Sequence, residues 1–427
     1  MKIAIAGYGL EGKSNYTYFS SRGDVTIVDE RDKVDDLPAG VATILGSNAF
    51  AQLDGFDLVV RTAGLSPRKI KTDGKIWSAT NEFFEKCPAP IIGVTGSKGK
   101  GTTSSLIASI LTEAGKTVHL VGNIGLPALD ELANITEEDI VVYELSSFQL
   151  WDAVRSPQVA VVLHIEPDHL DVHADFDEYV SAKANIARYQ GINDRVVYNA
   201  ANEQATAIAE QSVGQRLPYQ TVRTAHVNDG NFYYNEQLLC SVDELQLPGV
   251  HNQDNACAAI TAVWPWVQDG VVIGEGLRAF SGLDHRLKLI AYDQGVGYYD
   301  DSIATTPGSA IAAMRAFAES KIIILGGSSK GASFDEVASV AAKSNVKLAI
   351  LIGDEADRIE AALRNVGVAC VNKGSGVTMA EVVQIASEAA DENDVVILSP
   401  ACASFGMFRD YKDRGDQFIT AVKGLSA

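Results

Sequence analysis

Short β-branched runs alternate with helical periodicity along almost the whole chain. The clearest lie at 2–6, 25–29, 57–60, 91–95, 117–121, 140–145, 158–165, 195–198, 321–327, 347–353 and 394–399. Alternation of this kind predicts an α/β fold of parallel sheets covered by helices on both sides. At 427 residues the chain exceeds one ordinary core, so two or three domains of about 100–200 residues each are expected. Lys86-Cys87-Pro88-Ala89-Pro90 restricts the backbone around each proline and reads as a stiff linker. Gly282-Leu283-Asp284-His285-Arg286 marks a second boundary before a strand-rich region. The expected domains are 1–88, Rossmann-like; 89–283, a mononucleotide-binding sheet of the phosphate-loop type with a β-rich segment at 214–250; and 284–427, Rossmann-like again.

The second of those domains opens on its most specific motif. Pro90-Ile91-Ile92-Gly93-Val94 is an apolar run, Thr95-Gly96-Ser97-Lys98-Gly99-Lys100-Gly101-Thr102-Thr103 follows, and Leu106, Ile107, Ile110 and Leu111 then recur at helical spacing. Strand, glycine loop and helix in that order cradle phosphate. Glycines let backbone N–H groups converge on phosphate oxygens, the helix start adds partial positive charge, and Lys100 reaches the outer phosphates. A nucleoside triphosphate is the expected ligand. The full Walker pattern is incomplete, because Val94 stands at its first glycine and Gly101 stands where a Ser or Thr holds magnesium.

The formal charge of −20 argues against nucleic acid or an anionic membrane as partner. Acidic small molecules must then be held by local cations. The cysteines Cys87, Cys240, Cys257, Cys370 and Cys402 are scattered and form no Cys-x-x-Cys pair, as expected of reduced thiols in a cytoplasmic protein. Met1-Lys2-Ile3-Ala4-Ile5-Ala6-Gly7 runs directly into a strand and turn rather than a signal peptide, and no apolar stretch is long enough to span a bilayer.

Four further features carry chemistry. Gly7-Tyr8-Gly9-Leu10-Glu11-Gly12 follows the first strand, and Asp29 ends the next, as in a dinucleotide fingerprint. The turn suits a pyrophosphate and the acid suits ribose hydroxyls, so NAD and a nucleotide diphosphate sugar both meet the geometry; the rest of the chain favours the sugar nucleotide. Glu144 closes the strand Asp139-Ile140-Val141-Val142-Tyr143 at the sheet end where ligands gather, a placement that suits a magnesium ligand. Histidines and acids crowd His164-Ile165-Glu166-Pro167-Asp168-His169-Leu170-Asp171-Val172-His173 after another strand, and a metal or phosphate role is expected there rather than a zinc site. Lys183 shares a helix face with Tyr179 and Ile186, an odd place for a cation unless it snorkels to water.

Taken together, Gly96-Ser97-Lys98-Gly99-Lys100, Gly122-Asn123-Ile124-Gly125, Glu144-Leu145-Ser146-Ser147-Phe148-Gln149-Leu150, Asp168-His169-Leu170-Asp171, Leu247-Pro248-Gly249-Val250-His251-Asn252-Gln253-Asp254-Asn255, His285-Arg286, Asp301-Ser302, Lys330-Gly331 and Ser399-Pro400-Ala401-Cys402-Ala403-Ser404-Phe405 occur in the order found in the Mur ligases. The chain resembles that family over essentially its whole length. The Ser-Ser-Phe-Gln-Leu and Ser-Pro-Ala-Cys-Ala-Ser segments resemble its D-glutamate-adding branch.

The resemblance implies an ATP-dependent amide ligase of peptidoglycan precursor synthesis that joins D-glutamate to UDP-N-acetylmuramoyl-L-alanine through an acyl phosphate. It implies a cytoplasmic monomer that uses ATP and two magnesium ions. ATP would lie on Gly96, Ser97, Lys98, Gly99, Lys100, Gly101 and Thr102, with Asn252, Asn255, Arg286 and Asp301 around it. Leu10, Glu11, Asp29, Glu30, Arg31, Gly64, Asn123, Ser146 and Gln149 would hold the UDP substrate. Thr305, Lys330, Ser404 and Tyr411 would hold the amino acid, with Arg409 and Arg414 as nearby cations. Lys100, Glu144, His169 and Lys183 would be catalytic; Glu144, His169, a carbamylated Lys183 and Thr102 would face the metals.

The chain departs from the family pattern at Gly101, at His164 for an Asn, at Lys288 for an acid, at Ile303 for a Lys and at Gly406 for an Asp. Three other readings stay open: a relative that adds a different amino acid, an inactive nucleotide-binding scaffold, and an NAD-dependent dehydrogenase.

Overall fold

Five parallel strands begin the chain: β1 (Lys2–Ala6), β2 (Asp24–Asp29), β3 (Ala42–Leu45), β4 (Leu58–Arg61) and β5 (Lys75–Ser78), laid side by side as β3-β2-β1-β4-β5. The order reverses between β1 and β4, which brings the turns after those two strands together. In open α/β sheets ligands settle at such a reversal. β3 and β5 lie outside the strongest sequence runs because they are edge strands whose outward residues are exposed. The computed structural model describes residues 1–123, 126–170, 172–328 and 332–425.

A second parallel sheet holds β6 (Ile91–Thr95), β7 (Val118–Gly122), β8 (Ile140–Glu144), β9 (Val159–Val162), β10 (Arg195–Asn199) and β11 (Gln215–Tyr219), in the order β11-β10-β9-β6-β8-β7. β6 therefore lies between β8 and β9, with Val94 beside Glu144 and Thr95 beside Val162. These strands are buried throughout β6, β8 and β9, as a parallel sheet covered on both faces requires. The β-rich segment expected at 214–250 contains β11 and a small antiparallel sheet of β12 (Ala225–Asn228), β13 (Asn231–Tyr234) and β14 (Gln237–Ser241).

One apolar cluster runs from Ile3, Ile5 and Phe83 of the first sheet region into Tyr143, Leu145 and Leu150 of the second. Phe83 and Tyr143 meet edge to face with centroids 5.3 Å apart, and burial of each such side chain contributes roughly 1.5–3 kcal/mol. Residues 1–245 and 250–280 accordingly form one unit.

The second unit, residues 246–249 and 281–427, carries β15 (Lys288–Asp293), β16 (Val296–Asp300), β17 (Lys321–Gly326), β18 (Val346–Ile352), β19 (Cys370–Gly374) and β20 (Val395–Leu398). Their order is β15-β16-β20-β17-β18-β19, parallel except for the β15–β16 hairpin. Among the described residues no helix is long and apolar enough to cross a membrane.

Candidate active site

The ends of β8, β6 and β9 build the phosphate loop and its surroundings. After Thr95 the backbone turns through Gly96 and Gly99, and Gly99 takes the left-handed conformation (φ 84°) as the residue preceding the helix Lys100–Glu113. A methyl group on Gly99 would lie 2.4 Å from Asn255 Oδ1, so both dihedral and space require glycine there. Ser97 ties the loop to the end of β9. Its N–H donates to the His164 carbonyl at 2.8 Å, its hydroxyl donates to the Glu166 carbonyl at 2.8 Å, and it meets the Tyr179 hydroxyl at 2.8 Å. Lys98 pairs with Glu166 at 2.5 Å.

Lys100 curls over the loop, with Nζ 2.9 Å from the Gly96 carbonyl and 3.0 Å from the Ser97 carbonyl. Gly101 and Thr102 are buried in the first helical turn. Asn255 donates to Asn252 at 3.2 Å and accepts from the Thr103 hydroxyl at 3.3 Å, which holds the helix Val250–Val263 against the loop helix.

Lys183 does not snorkel. It lies 1% exposed on the helix Phe176–Arg188, with Nζ 2.8 Å from the Gly96 carbonyl and 3.3 Å from Thr95 Oγ1. Burial, and after it the Lys100 charge, hold its pKa well below the ordinary lysine range, while Asp168 and Glu144 pull it back. Glu144 is buried at the end of β8 and accepts from the Asn123 amide at 3.1 Å. Ser146 and Gln149 cap the next short helix reciprocally, each bonding the other's backbone N–H.

The His–acid cluster divides. His169 takes a left-handed backbone (φ 54°), keeps its side chain 48% exposed and lies 3.6 Å from Asp168. His173 turns inward instead, which corrects the expectation that the whole cluster faces metal or phosphate. It packs against Phe148, Trp151 and Tyr179, bonds Ser147 Oγ at 3.0 Å, and burial lowers its pKa. Asp171 lies outside the described residues. Among the described residues no three His, Cys, Asp or Glu side chains converge in a cluster able to hold a metal.

In the first sheet, Asp29 accepts from the Tyr8 N–H at 2.9 Å and is gripped by Arg31 through Nε and Nη2, both at 2.8 Å. The Arg31 bonds hold its pKa down to about 2. Its oxygens are thus engaged in aiming Arg31, which lines a hollow of about 310 Å³ with Tyr8, Gly9, Leu10, Lys13 and Asp36. Glu11 accepts from the Ala63 N–H at 2.7 Å, and burial raises its pKa. Glu30 pairs with Lys69 at 2.9 Å. Gly64 is in open space.

In the second unit the ends of β16 and β20 meet. Asp301 accepts from Ser399 Oγ at 2.7 Å and from the Leu287 N–H at 3.2 Å, and burial raises its pKa to about 7. Arg286, close enough to bias Asp301 electrostatically, is exposed. Ser404 is buried, while Thr305 and Tyr411 are half-buried; Lys330 lies outside the described residues. Arg414 corrects an expectation. It is wholly buried and spends its donors on the Ser302 hydroxyl and carbonyl and the Cys402 carbonyl, so it braces the fold rather than offering charge to an acidic ligand. Arg409 remains exposed.

Sequence reasoning missed Arg61, which is wholly buried and bonded bidentately to Asp152. The available signal was an arginine closing the apolar run Leu58-Val59-Val60.

Residues 94–263 match the family model of the Mur ligase middle domain, and residues 285–402 match that of the Mur ligase glutamate ligase domain. The chain is 36% identical to the UDP-N-acetylmuramoylalanine--D-glutamate ligase of Clostridium tetani, covering 99% of this chain and 97% of the relative. It is 37% identical to the ligase of the same name from Acetivibrio thermocellus, covering 100% and 97%. Its fold is similar to that of the UDP-N-acetylmuramate-alanine ligase of Thermotoga maritima, with a TM-score of 0.62, 18% identity and full coverage of both chains. It is also similar to a MurF ligase from Thermotoga maritima solved with ADP, with a TM-score of 0.60, 15% identity and coverage of 99% and 95%.

Proposed function

The chain belongs to the Mur ligase family, and from that premise we propose that it joins D-glutamate to UDP-N-acetylmuramoyl-L-alanine at the expense of ATP, in the cytoplasm, as a step of peptidoglycan precursor synthesis. The observation that carries the reading within the site is the convergence of Lys100 and Lys183 on the Gly96 carbonyl, at 2.9 and 2.8 Å, beside the buried Glu144. A polyphosphate needs the first cation. A neutral, nucleophilic second amine is what carbamylation needs.

The proposed domains are 1–88, 89–283 and 284–427, for UDP substrate, ATP and amino acid respectively. Gly96 to Thr102 cradle the triphosphate, with Asn252 and Asn255 toward the base and Arg286 and Asp301 completing the nucleotide contacts. Leu10, Glu11, Glu30, Gly64, Asn123, Ser146 and Gln149 contact the UDP substrate together with Arg31, which Asp29 orients. Thr305, Lys330, Ser404 and Tyr411 receive D-glutamate.

A carboxylate is a poor electrophile. The γ-phosphoryl of ATP passes to the substrate's alanyl carboxylate, releasing ADP and forming an acyl phosphate. The D-glutamate amine then attacks the acyl carbon, loses a proton, and phosphate leaves with the electrons of the broken C–O bond. Lys100 stabilises the charge on the transferring group, and the remaining catalysis is positioning. Glu144 and a carbamate on Lys183 would offer the hard oxygen donors that magnesium prefers, and His169 and the Thr102 hydroxyl are the further candidate ligands. Two bound magnesium ions would neutralise the polyphosphate charge.

Ile303, Lys288 and Gly406 lie in the proposed amino-acid domain and favour one second reading, a ligase of the same mechanism for another amino acid. A coupled assay of ADP release with UDP-N-acetylmuramoyl-L-alanine and each of D-glutamate, L-glutamate and a panel of other amino acids decides. D-glutamate should give the highest kcat/KM. ADP release with no amino acid on the panel would reject the proposal.

A further inference from the structure

Arg61 ends β4 with no exposed surface. A guanidinium keeps its proton, so a buried one must have its donors met. Nε and Nη2 form a fork with Asp152 at 2.9 and 2.7 Å, and Nη2 also donates to the Phe148 carbonyl at 2.8 Å. Nη1 donates to the carbonyls of Thr62, Ala63 and Leu65 at 3.2, 3.1 and 2.8 Å.

Peptide planarity turns this crown of carbonyls into a direction for the opposite groups. In a trans peptide the C=O of one residue and the N–H of the next point opposite ways. Drawing those carbonyls onto Arg61 turns the N–H groups of Ala63, Gly64 and Ser66 away from it. The Ala63 N–H is donated to Glu11, in the first turn of the helix Leu10–Phe19, which starts within the Gly7–Gly12 motif. The Ser66 hydroxyl, in the same turn, is out of contact with water and has no hydrogen-bond partner. On its other side Arg61 holds Phe148 and Asp152, within and just beyond the helix that Ser146 and Gln149 cap.

We infer that Arg61 is a positioning residue for the nucleotide-sugar substrate: it registers the turn 62–66 of the first sheet against the segment 146–152 of the second, so that both face one ligand. The inference rests on the substrate reading above. Arg61 touches no reacting atom, and its effect falls on the binding of one substrate out of three.

The test measures steady-state kinetics and direct UDP-N-acetylmuramoyl-L-alanine binding for the full chain, Asp152→Asn and Arg61→Lys. Asp152→Asn keeps the shape of the side chain and decides the question alone if Arg61→Lys fails to fold. In each variant the UDP-substrate KM and Kd should rise about tenfold, with the ATP and D-glutamate KM values within about twofold and kcat within about threefold. Arg61→Lys, which keeps the charge but loses the fork, should be the worse of the two. Unchanged UDP-substrate KM and Kd in Asp152→Asn overturn the inference. So does a lower melting temperature with kcat reduced and all three KM values unmoved, which is the mark of a merely structural role. A wild-type protein that binds no UDP-N-acetylmuramoyl-L-alanine instead overturns the substrate reading itself.

Discussion

The Lys183 ammonium nitrogen lies 2.8 Å from the carbonyl oxygen of Gly96, inside the backbone of the phosphate loop. A charged lysine there is opposed by burial and by Lys100. Both favour the neutral amine, which is the form that adds to carbon dioxide.

Lys183→Ala should therefore lower the rate of ADP formation about 10³-fold, or ~4 kcal/mol of transition-state stabilisation. Bicarbonate with a short carboxylic acid that enters the vacated space should restore part of it. Absence of rescue in a folded variant would leave Lys183 as a packing residue rather than a carbamate carrier.

Gly99→Ala should weaken ATP binding and lower stability together. The left-handed backbone and the 2.4 Å approach to Asn255 both oppose a methyl group, and alanine at a positive φ costs about 1 kcal/mol or more. Nucleotide titration and thermal melting check this; a variant with wild-type ATP affinity would show that the loop tolerates another path.

Asp301 gives a pH signature. Its pKa rises from 3.8 to about 7 on folding, so the folded state binds the extra proton. The stability it contributes is complete below 3.8 and is lost as pH climbs through about 7, with a slope up to about 1.4 kcal/mol per pH unit. Over that window the wild-type melting temperature should fall relative to that of Asp301→Asn. Parallel melting curves against pH would mean that the carboxyl is already ionised when buried.

The parallel sheets were legible because burial on both faces leaves continuous apolar runs such as Ile91–Thr95 and Ile140–Glu144. Exposed edges such as Ala42–Leu45 carry no such run. The phosphate loop was legible because Gly96 and Gly99 are demanded by local backbone geometry. Lys183 could be singled out as misplaced, yet its neighbours could not be read, since Gly96 is 87 residues away along the chain. His169 and His173 look alike in sequence, and only packing against Phe148 and Trp151 separates the exposed ring from the buried one.

By itself the sequence determined what local rules control: the α/β alternation, the glycine turns, the cradle for a triphosphate and the family the motifs resemble. Tertiary structure decided which charges work and which brace. Arg414 is consumed by Ser302 and Cys402, Asp29 is spent on Arg31, and Arg61 meets Asp152 across 91 residues. The reason is physical. A hydrogen bond is set by distances of about 3 Å between side chains, and packing, rather than spacing along the chain, brings such partners together.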